Sequence, residues 1–343
     1  MKIKKKKIFL AAFLNYPNAQ NINCLSLAKH LDYSKFTVYS LSTYFSQNIN
    51  TKAILFKCYY PFKLTSFIGY LWGFILCDII YFPKHRSIPN WIIRFANFHG
   101  KKVFTTIENN MCDLNKESIL NSFGGRENLV NYFKNIPNIF GITKYIINNS
   151  NCGVKLKNKV LYLGVEKDDF IKRKKRILRN IVFVGSLKKR KRVEEFIKLA
   201  KYFPLINFSI IGEGVNNKIL RNKATSNVAF FGLLSQNELS YRFSNMDLLF
   251  LPSKSEGFPK VILEAAASGI PSLVYSDYGA SEWIESFKNG FIVNNFNDII
   301  VVIKRLIEEK DLLEINSDGA MLIANKFDWK VVIKDWEMTI LNL

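Results

Sequence analysis

Residues 256–264 read Glu-Gly-Phe-Pro-Lys-Val-Ile-Leu-Glu and continue as Ala-Ala-Ala-Ser-Gly-Ile-Pro through 265–271. Pro259 suits the first position of a helix, where its missing N–H would have no intrahelical partner and its φ is already helical. Glu256 then falls in a loop and Glu264 on the helix. The backbone amides of Phe258, Lys260 and Val261 are left at a helix start, which makes a site for an anion such as a diphosphate. The two carboxylates flank that site and accept hydrogen bonds from hydroxyls. The pattern predicts a nucleotide sugar as ligand, with diphosphate at the helix, ribose on one carboxylate and hexose on the other.

A chain of 343 residues is long for one domain and comfortable for two. Its 49 Lys and Arg against 28 Asp and Glu give a net charge of +21, a field that favours anionic partners: nucleic acid, an acidic leaflet or phosphorylated substrates. The five cysteines, at 24, 58, 77, 112 and 152, show no C-x-x-C spacing and are expected to be reduced, buried thiols of a cytosolic protein. With three histidines and none near a cysteine pair, no metal site is expected.

The start, Met-Lys-Ile-Lys-Lys-Lys-Lys followed by an apolar run, has the outline of a signal peptide. The run stops at Asn15 without a small-residue cleavage site, so a buried first strand is the preferred reading. A second apolar stretch, 64–82, is interrupted by Asp78, Gly69 and Gly73 and falls short of a bilayer span. It is expected to form a buried helix over 64–77 and a strand over 79–82. The helix also reads as interfacial, with Tyr59, Tyr60, Trp72 and Trp91 near headgroups and Lys84, His85 and Arg86 alongside.

Further strands are expected at 8–14, 37–41, 53–56, 102–106 and 139–143, with a helix around 24–31. Runs that are apolar throughout mark strands covered on both faces, as in a parallel sheet. Residues 167–180 shift to Lys172-Arg173-Lys174-Lys175-Arg176 without apolar periodicity and read as a basic linker. The rhythm then restarts with strands at 181–184, 208–211, 228–231, 248–251 and 272–275 and a helix at 193–202. Two strand-helix series predict two doubly wound α/β domains with ligand in the crevice at the carboxyl ends of the strands. The second supplies a cation-dense turn, Gly185-Ser186-Leu187-Lys188-Lys189-Arg190-Lys191-Arg192, and then Gly212-Glu213-Gly214, both converging on the crevice of Glu256 and Glu264.

Val184-Gly185-Ser186-Leu187 with Lys191, Ile210-Ile211-Gly212-Glu213-Gly214, Phe230-Phe231-Gly232, Pro252-Ser253 before Glu256-Gly257-Phe258-Pro259, and Glu264 to Pro271 together resemble glycosyltransferase family 4. The likeness is specific over 181–293 and only architectural before that. It implies the GT-B fold: Rossmann-like domains at 1–166 and 181–326 facing across a cleft, and a helix at 327–343 returning to the first domain. By position it also implies that Glu264 binds the ribose and Glu256 contacts the donor sugar. The amides of Gly257, Phe258, Lys260 and Val261 would touch the sugar and distal phosphate, with Pro259 supplying the helical φ between them; Gly185, Ser186 and Gly212 would also line the donor site, and the turn of Phe231, Gly232 and Leu233 the base. Lys191 would stabilise the leaving diphosphate.

Three departures from the family pattern stand out. Ser186 replaces an arginine, leaving Lys188, Lys189 or Arg190 to supply a second cation. Residues 15–21, Asn-Tyr-Pro-Asn-Ala-Gln-Asn, replace a Gly-Gly turn. Thr106-Ile107-Glu108 stands where a histidine is usual, so Glu108 either orients or deprotonates an acceptor hydroxyl, or binds a different donor sugar, or is a plain loop residue. No Asp-x-Asp motif is present, and activity without a divalent cation or other cofactor is expected. The reading is a retaining transferase on a lipid-linked or oligosaccharide acceptor in surface polysaccharide or lipopolysaccharide synthesis, cytoplasmic and peripheral on an anionic membrane face. A nucleotide-sugar epimerase of the same architecture is the alternative. A nucleic-acid binder is disfavoured, because the charge is spread and no such motif appears.

Overall fold

The computed structural model describes residues 5–45, 49–83, 89–112, 118–309 and 311–343. The described residues divide into two compact units: those up to residue 112 with Ser118–Leu163 and Trp329–Leu343, and those within Gly164–Asp328.

The first unit is built on a parallel sheet of β1 (Lys6–Phe13), β2 (Phe36–Thr43), β3 (Ile54–Cys58), β4 (Ile79–Phe82), β5 (Lys102–Ile107) and β6 (Asn138–Gly141), in the order β3-β2-β1-β4-β5-β6. Its helices are α1 (Ala19–His30), α2 (Phe62–Leu76), α3 (Asn90–Phe98), α4 (Ile119–Ser122), α5 (Arg126–Phe133) and α6 (Lys144–Asn148). The apolar run near the start is the central strand β1, paired on both sides and buried from Ile8 to Ala12. Asn18 caps α1, its Oδ1 accepting from Asn21 N at 3.0 Å. The α2 helix lies close on the sheet because two of its positions facing the sheet, 69 and 73, are glycine. A Cβ on Gly73 would stand 2.5 Å from the Phe9 ring, and one on Gly69 2.8 Å from the Phe56 ring.

The second unit repeats the plan with β7 (Asn180–Val184), β8 (Asn207–Ile211), β9 (Val228–Gly232), β10 (Leu248–Leu251), β11 (Ser272–Tyr275) and β12 (Gly290–Val293), in the order β12-β11-β10-β7-β8-β9. Helices α7 (Val193–Tyr202), α8 (Asn217–Lys223), α9 (Gln236–Ser244), α10 (Lys260–Ala267), α11 (Phe296–Glu308) and α12 (Leu312–Lys326) surround it. Both sheets thus have the doubly wound order 3-2-1-4-5-6. Reciprocal capping boxes start α9 (Ser235 and Glu238) and α11 (Asn295 and Asp298).

The last helix, α13 (Trp329–Leu341), belongs to the first unit. Trp336 is fully buried and donates from Nε1 to the Tyr162 carbonyl at 2.8 Å, and the Glu337 carboxylate accepts from Asp32 N at 2.6 Å and Lys35 Nζ at 3.3 Å.

Several expectations are corrected. Residues 167–180 are an integral part of the second unit: Arg173 N donates to the Ser268 carbonyl at 3.3 Å, Lys175 N donates to Ser317 Oγ at 2.9 Å, and the Lys175 side chain is buried. Cationic composition suggested a linker, but the backbone is tied to the unit at Ile171 by Ser240 of α9, at Arg173 by the end of α10, at Lys175 by Ser317 of α12, and at Arg179 and Asn180 by Asp247. Cys112 and Cys152 are joined by a disulfide, because the loop after β5 and the turn after α6 bring their Cα atoms to 5.4 Å across 40 residues of sequence. Cys24, Cys58 and Cys77 are buried and not disulfide-bonded. The edge strand β12 has a short apolar run that the sequence reading passed over. Lys84, His85 and Arg86 lie outside the described residues.

Candidate active site

The second sheet brings three loops to one edge, since β7, β8 and β10 are parallel and each loop follows its carboxyl end. Hydrogen bonds join them. Gly185 N donates to the Ile211 carbonyl at 2.9 Å, Leu187 N to the Glu213 carbonyl at 3.0 Å, Gly212 N to the Gly232 carbonyl at 2.7 Å and Lys254 N to the Arg190 carbonyl at 2.8 Å. Gly212 has φ +133°, and a Cβ there would overlap the Gly185 carbonyl oxygen, so this approach requires glycine.

At the switch in strand order, between β7 and β10, Lys191 Nζ forms a salt bridge with Glu256 Oε1. Both side chains are only 9% exposed. Arg190 reaches the same carboxylate, Nη1 lying 3.5 Å from Oε2 and donating to the Ser255 carbonyl at 2.8 Å. Of the three cations proposed in place of the missing arginine, Arg190 is therefore the one drawn to the Glu256 loop, while Lys188 and Lys189 are exposed. Ser186 is half-buried, and its carbonyl accepts from Lys188 N at 2.8 Å.

Helix α10 starts at Lys260, so Pro259 (φ −73°, ψ 104°) is its cap and not its first helical residue. Proline offers no side-chain acceptor, and no side-chain cap bond competes for the helix start. Gly257, Phe258 and Pro259 are buried, with Phe258 edge-on to Trp283 at 4.8 Å between ring centroids, which fixes the loop behind Glu256. Lys260, Val261 and Glu264 follow on the first turns and are half-buried. Burial raises the Glu264 carboxyl above its ordinary pKa of 4.5, and the nearby Lys260 ammonium only partly offsets this. The turn after β9 is more open: the Arg242 guanidinium lies 3.9 Å from the centroid of the half-buried Phe231 ring, and Leu233 is 78% exposed.

Residues the sequence did not single out complete this edge. Tyr278 is buried with its hydroxyl lacking a hydrogen-bond partner among the described residues. Burial first, and then the charges of Glu256 and Asp277, hold its phenol well above the ordinary pKa. Arg192 pairs with Asp277 at 2.9 Å. Nothing in the local pattern around 275–283 marks these residues, because only the return of the chain after β11 brings them near Glu256.

In the first unit Glu108 follows the carboxyl end of β5 and is half-buried. Its Oε2 accepts from Nδ2 of the buried Asn23 on α1 at 3.4 Å, and its charge is among the causes that raise the buried Tyr81 phenol, after burial itself. The polar residues of the 15–21 turn shape the turn itself: Asn15 exchanges hydrogen bonds with the backbone of Thr43, and Asn21 Nδ2 donates to the Tyr16 carbonyl. His99 is exposed. Among the described residues no three of His, Cys, Asp and Glu gather as metal ligands would.

Residues 165–320 match the family described as glycosyl transferases group 1. An uncharacterized glycosyltransferase of Haemophilus influenzae is 28% identical over 171 residues, covering 46% of this chain and 48% of that protein. The alpha-monoglucosyldiacylglycerol synthase of Acholeplasma laidlawii is 24% identical over 190 residues, 53% of this chain and 46% of that protein. The matched stretch spans about half the length of these curated relatives. Among solved structures, HepE of Anabaena in complex with UDP and glucose aligns with a TM-score of 0.74 at 16% identity, covering 98% of this chain and all of that one. The shared fold is GT-B, two doubly wound α/β units.

Proposed function

We propose that the protein is a retaining glycosyltransferase that moves a sugar from a nucleotide-diphosphate sugar to a hydroxyl of a lipid-linked or oligosaccharide acceptor in surface polysaccharide or glycolipid synthesis. The observation that carries this reading is the buried Lys191–Glu256 pair beside the uncapped start of α10. Cations and helix amides receive the diphosphate there, Glu264 accepts the ribose hydroxyls and Glu256 faces the sugar. The anomeric C–O bond to phosphate breaks as the acceptor oxygen bonds the same face, and the acceptor proton passes to the departing phosphate oxygen. Lys191, Arg190 and the α10 start stabilise the charge that develops on that oxygen. The reaction is proposed to need no divalent cation. The family match over 165–320 and the fold shared with a UDP- and glucose-bound protein support the donor class, and the glycolipid synthase relative supports the acceptor class. No observation favours the epimerase reading.

The test is a melting-temperature screen against a panel of nucleotide sugars, since a ligand that binds only the native state raises it. The matching sugar should raise it by several degrees more than its nucleoside monophosphate does. A flat panel would overturn the reading. Glu108 is proposed to orient the acceptor hydroxyl. Glu108→Gln is expected to lower kcat at least tenfold and leave donor affinity unchanged; an unchanged kcat would make it a loop residue.

The acceptor class implies a membrane contact, for which the first unit offers a surface. The outer face of α2 exposes Leu64, Phe67 and Ile68, next to Trp91 and Phe95 of α3, with the Phe67 and Trp91 rings 6.0 Å apart. Among the described residues no helix is long and apolar enough to cross a membrane, so this contact is proposed to be interfacial. Vesicles rich in phosphatidylglycerol should float the protein in low salt and lose it in high salt, as each near-surface cation adds about 1 kcal/mol at most. Phe67→Glu with Trp91→Glu should reduce binding at least tenfold. No flotation at low salt would remove the membrane from the proposal.

A further inference from the structure

The stretch 172–179 is rich in cations that the transfer reaction does not use. It lies at the amino ends of β7 and β10, the sheet edge opposite the donor loops. There it borders a cavity of about 480 Å³, lined by Arg173, Lys174, Lys175, Arg176 and Arg179 together with Ser244, Asn245 and Asp247. Five cations thus face one carboxylate.

That carboxylate is already committed. Asp247 Oδ2 accepts from Arg179 N at 2.9 Å and from Asn180 N at 2.8 Å. Lys174 and Arg176 turn to α12, where Lys174 bridges Glu314 and Asp318 and Arg176 meets Glu314. The exposed Arg173 and Arg179 guanidiniums have no ion-pair partner among the described residues. Lys175 is buried and donates to the carbonyls of Phe243 and Ser244 at 3.3 and 2.8 Å. Burial, the largest cause, pushes its ammonium down to about 8; Asp247 opposes the shift and Arg173 adds to it. The backbone of the stretch is held by Ser268 and Ser317, so the guanidiniums project from a fixed frame.

We propose that this basic cavity is a second ligand site of the protein, taking a small molecule that carries several phosphate groups, with Arg173 and Arg179 as its principal contacts. Planar guanidinium forks match phosphate oxygens in pairs. Single exposed ion pairs are weak, so clustered phosphates are needed to engage several cations together. The volume is within the range of small-molecule sites. The phosphates come either from a soluble oligophosphate or from the phosphorylated headgroup of a lipid.

Two arms separate these sources. In the first, sodium tripolyphosphate is titrated calorimetrically into the whole chain, into Arg173→Gln/Arg179→Gln, and into the charge-matched Lys201→Gln/Lys304→Gln, whose lysines are exposed elsewhere on the same unit. In the second, the same three proteins are floated with vesicles of phosphatidic acid in phosphatidylcholine. A soluble ligand predicts tripolyphosphate binding at least tenfold weaker in the arginine variant and unchanged in the lysine variant; a lipid headgroup predicts that difference in the vesicle arm. If the arginine and lysine variants behave alike in both arms, the attraction is only the general field of a +21 chain and the site is refuted. Equal melting temperatures for the variants establish that all are folded. Neither arginine belongs to the donor loops, so the outcome is independent of the proposed transferase activity.

Discussion

Replacing Lys191 by Met is expected to lower the melting temperature of the protein by about 10 °C. The residue is one half of a pair in which both side chains are 9% exposed, and its loss leaves the Glu256 carboxylate out of water with only Arg190 at 3.5 Å. Removing one partner of a buried ion pair costs about 3–5 kcal/mol, because the remaining charge is uncompensated. A unit of this size loses roughly 2–4 °C for each kcal/mol. The double variant Lys191→Met/Glu256→Gln, which removes both charges, should recover most of the loss. Thermal unfolding of the two variants beside the wild type checks this. A single variant as stable as the wild type would mean that water or Arg190 fully serves Glu256. Both variants should lack transferase activity, so the recovery of stability without recovery of turnover separates the structural role of the pair from its proposed chemistry.

Replacing Glu264 by Ala is expected to reduce turnover about 100-fold or more while the protein stays folded. A hydrogen bond to a charged group contributes about 1.5–3 kcal/mol, and two ribose hydroxyls on one carboxylate make two of them. Stability moves the other way. The folded-state pKa of Glu264 is raised above its ordinary 4.5 by burial, so the native state holds the proton more tightly than the unfolded chain. The carboxylate therefore costs stability above its folded-state pKa, and the cost disappears below its unfolded value. Glu264→Gln should accordingly melt no lower than the wild type at pH 7. The same shift sets the pH dependence of donor binding. As pH falls, wild-type affinity should drop through the raised pKa of Glu264, at a higher pH than an ordinary carboxylate would give, while the glutamine variant stays weak and flat. Donor affinity measured from pH 7 down to the acid limit of stability tests this. Unchanged turnover in Glu264→Ala would remove the residue from the site.

The sheets were legible in the sequence because their strands are buried on both faces and read as unbroken apolar runs, as in residues 8–14 and 248–251. The loops proposed to hold the donor were legible as loops because glycine and proline are demanded by the backbone: Gly212 by its close approach to Gly185, Pro259 by the uncapped start of α10. What stayed hidden depends on contacts between distant segments. Tyr278 comes within reach of the Glu256 charge only through the path of the chain after β11, and the pairing of Cys112 with Cys152 needs the loop after β5 and the turn after α6 side by side. The basic stretch 172–176 was misread because its charges look solvated in sequence, whereas Lys175 is buried and the backbone is bound. Even the Lys191–Glu256 bridge was implicit only as two roles at one crevice, and its direct contact belongs to the folded chain.

On the proposed reading of the site, that bridge also governs how the two halves of a donor are sensed. In the resting protein the cation proposed for the diphosphate and the carboxylate proposed for the sugar satisfy each other. A diphosphate that draws Lys191 away releases Glu256 at the same moment, so occupancy of one subsite prepares the other. By reciprocity a sugar that engages Glu256 frees Lys191 by the same amount. Recognition then acts as an exchange of partners: an intact nucleotide sugar binds more tightly than the separate affinities of its nucleotide and its sugar would add up to.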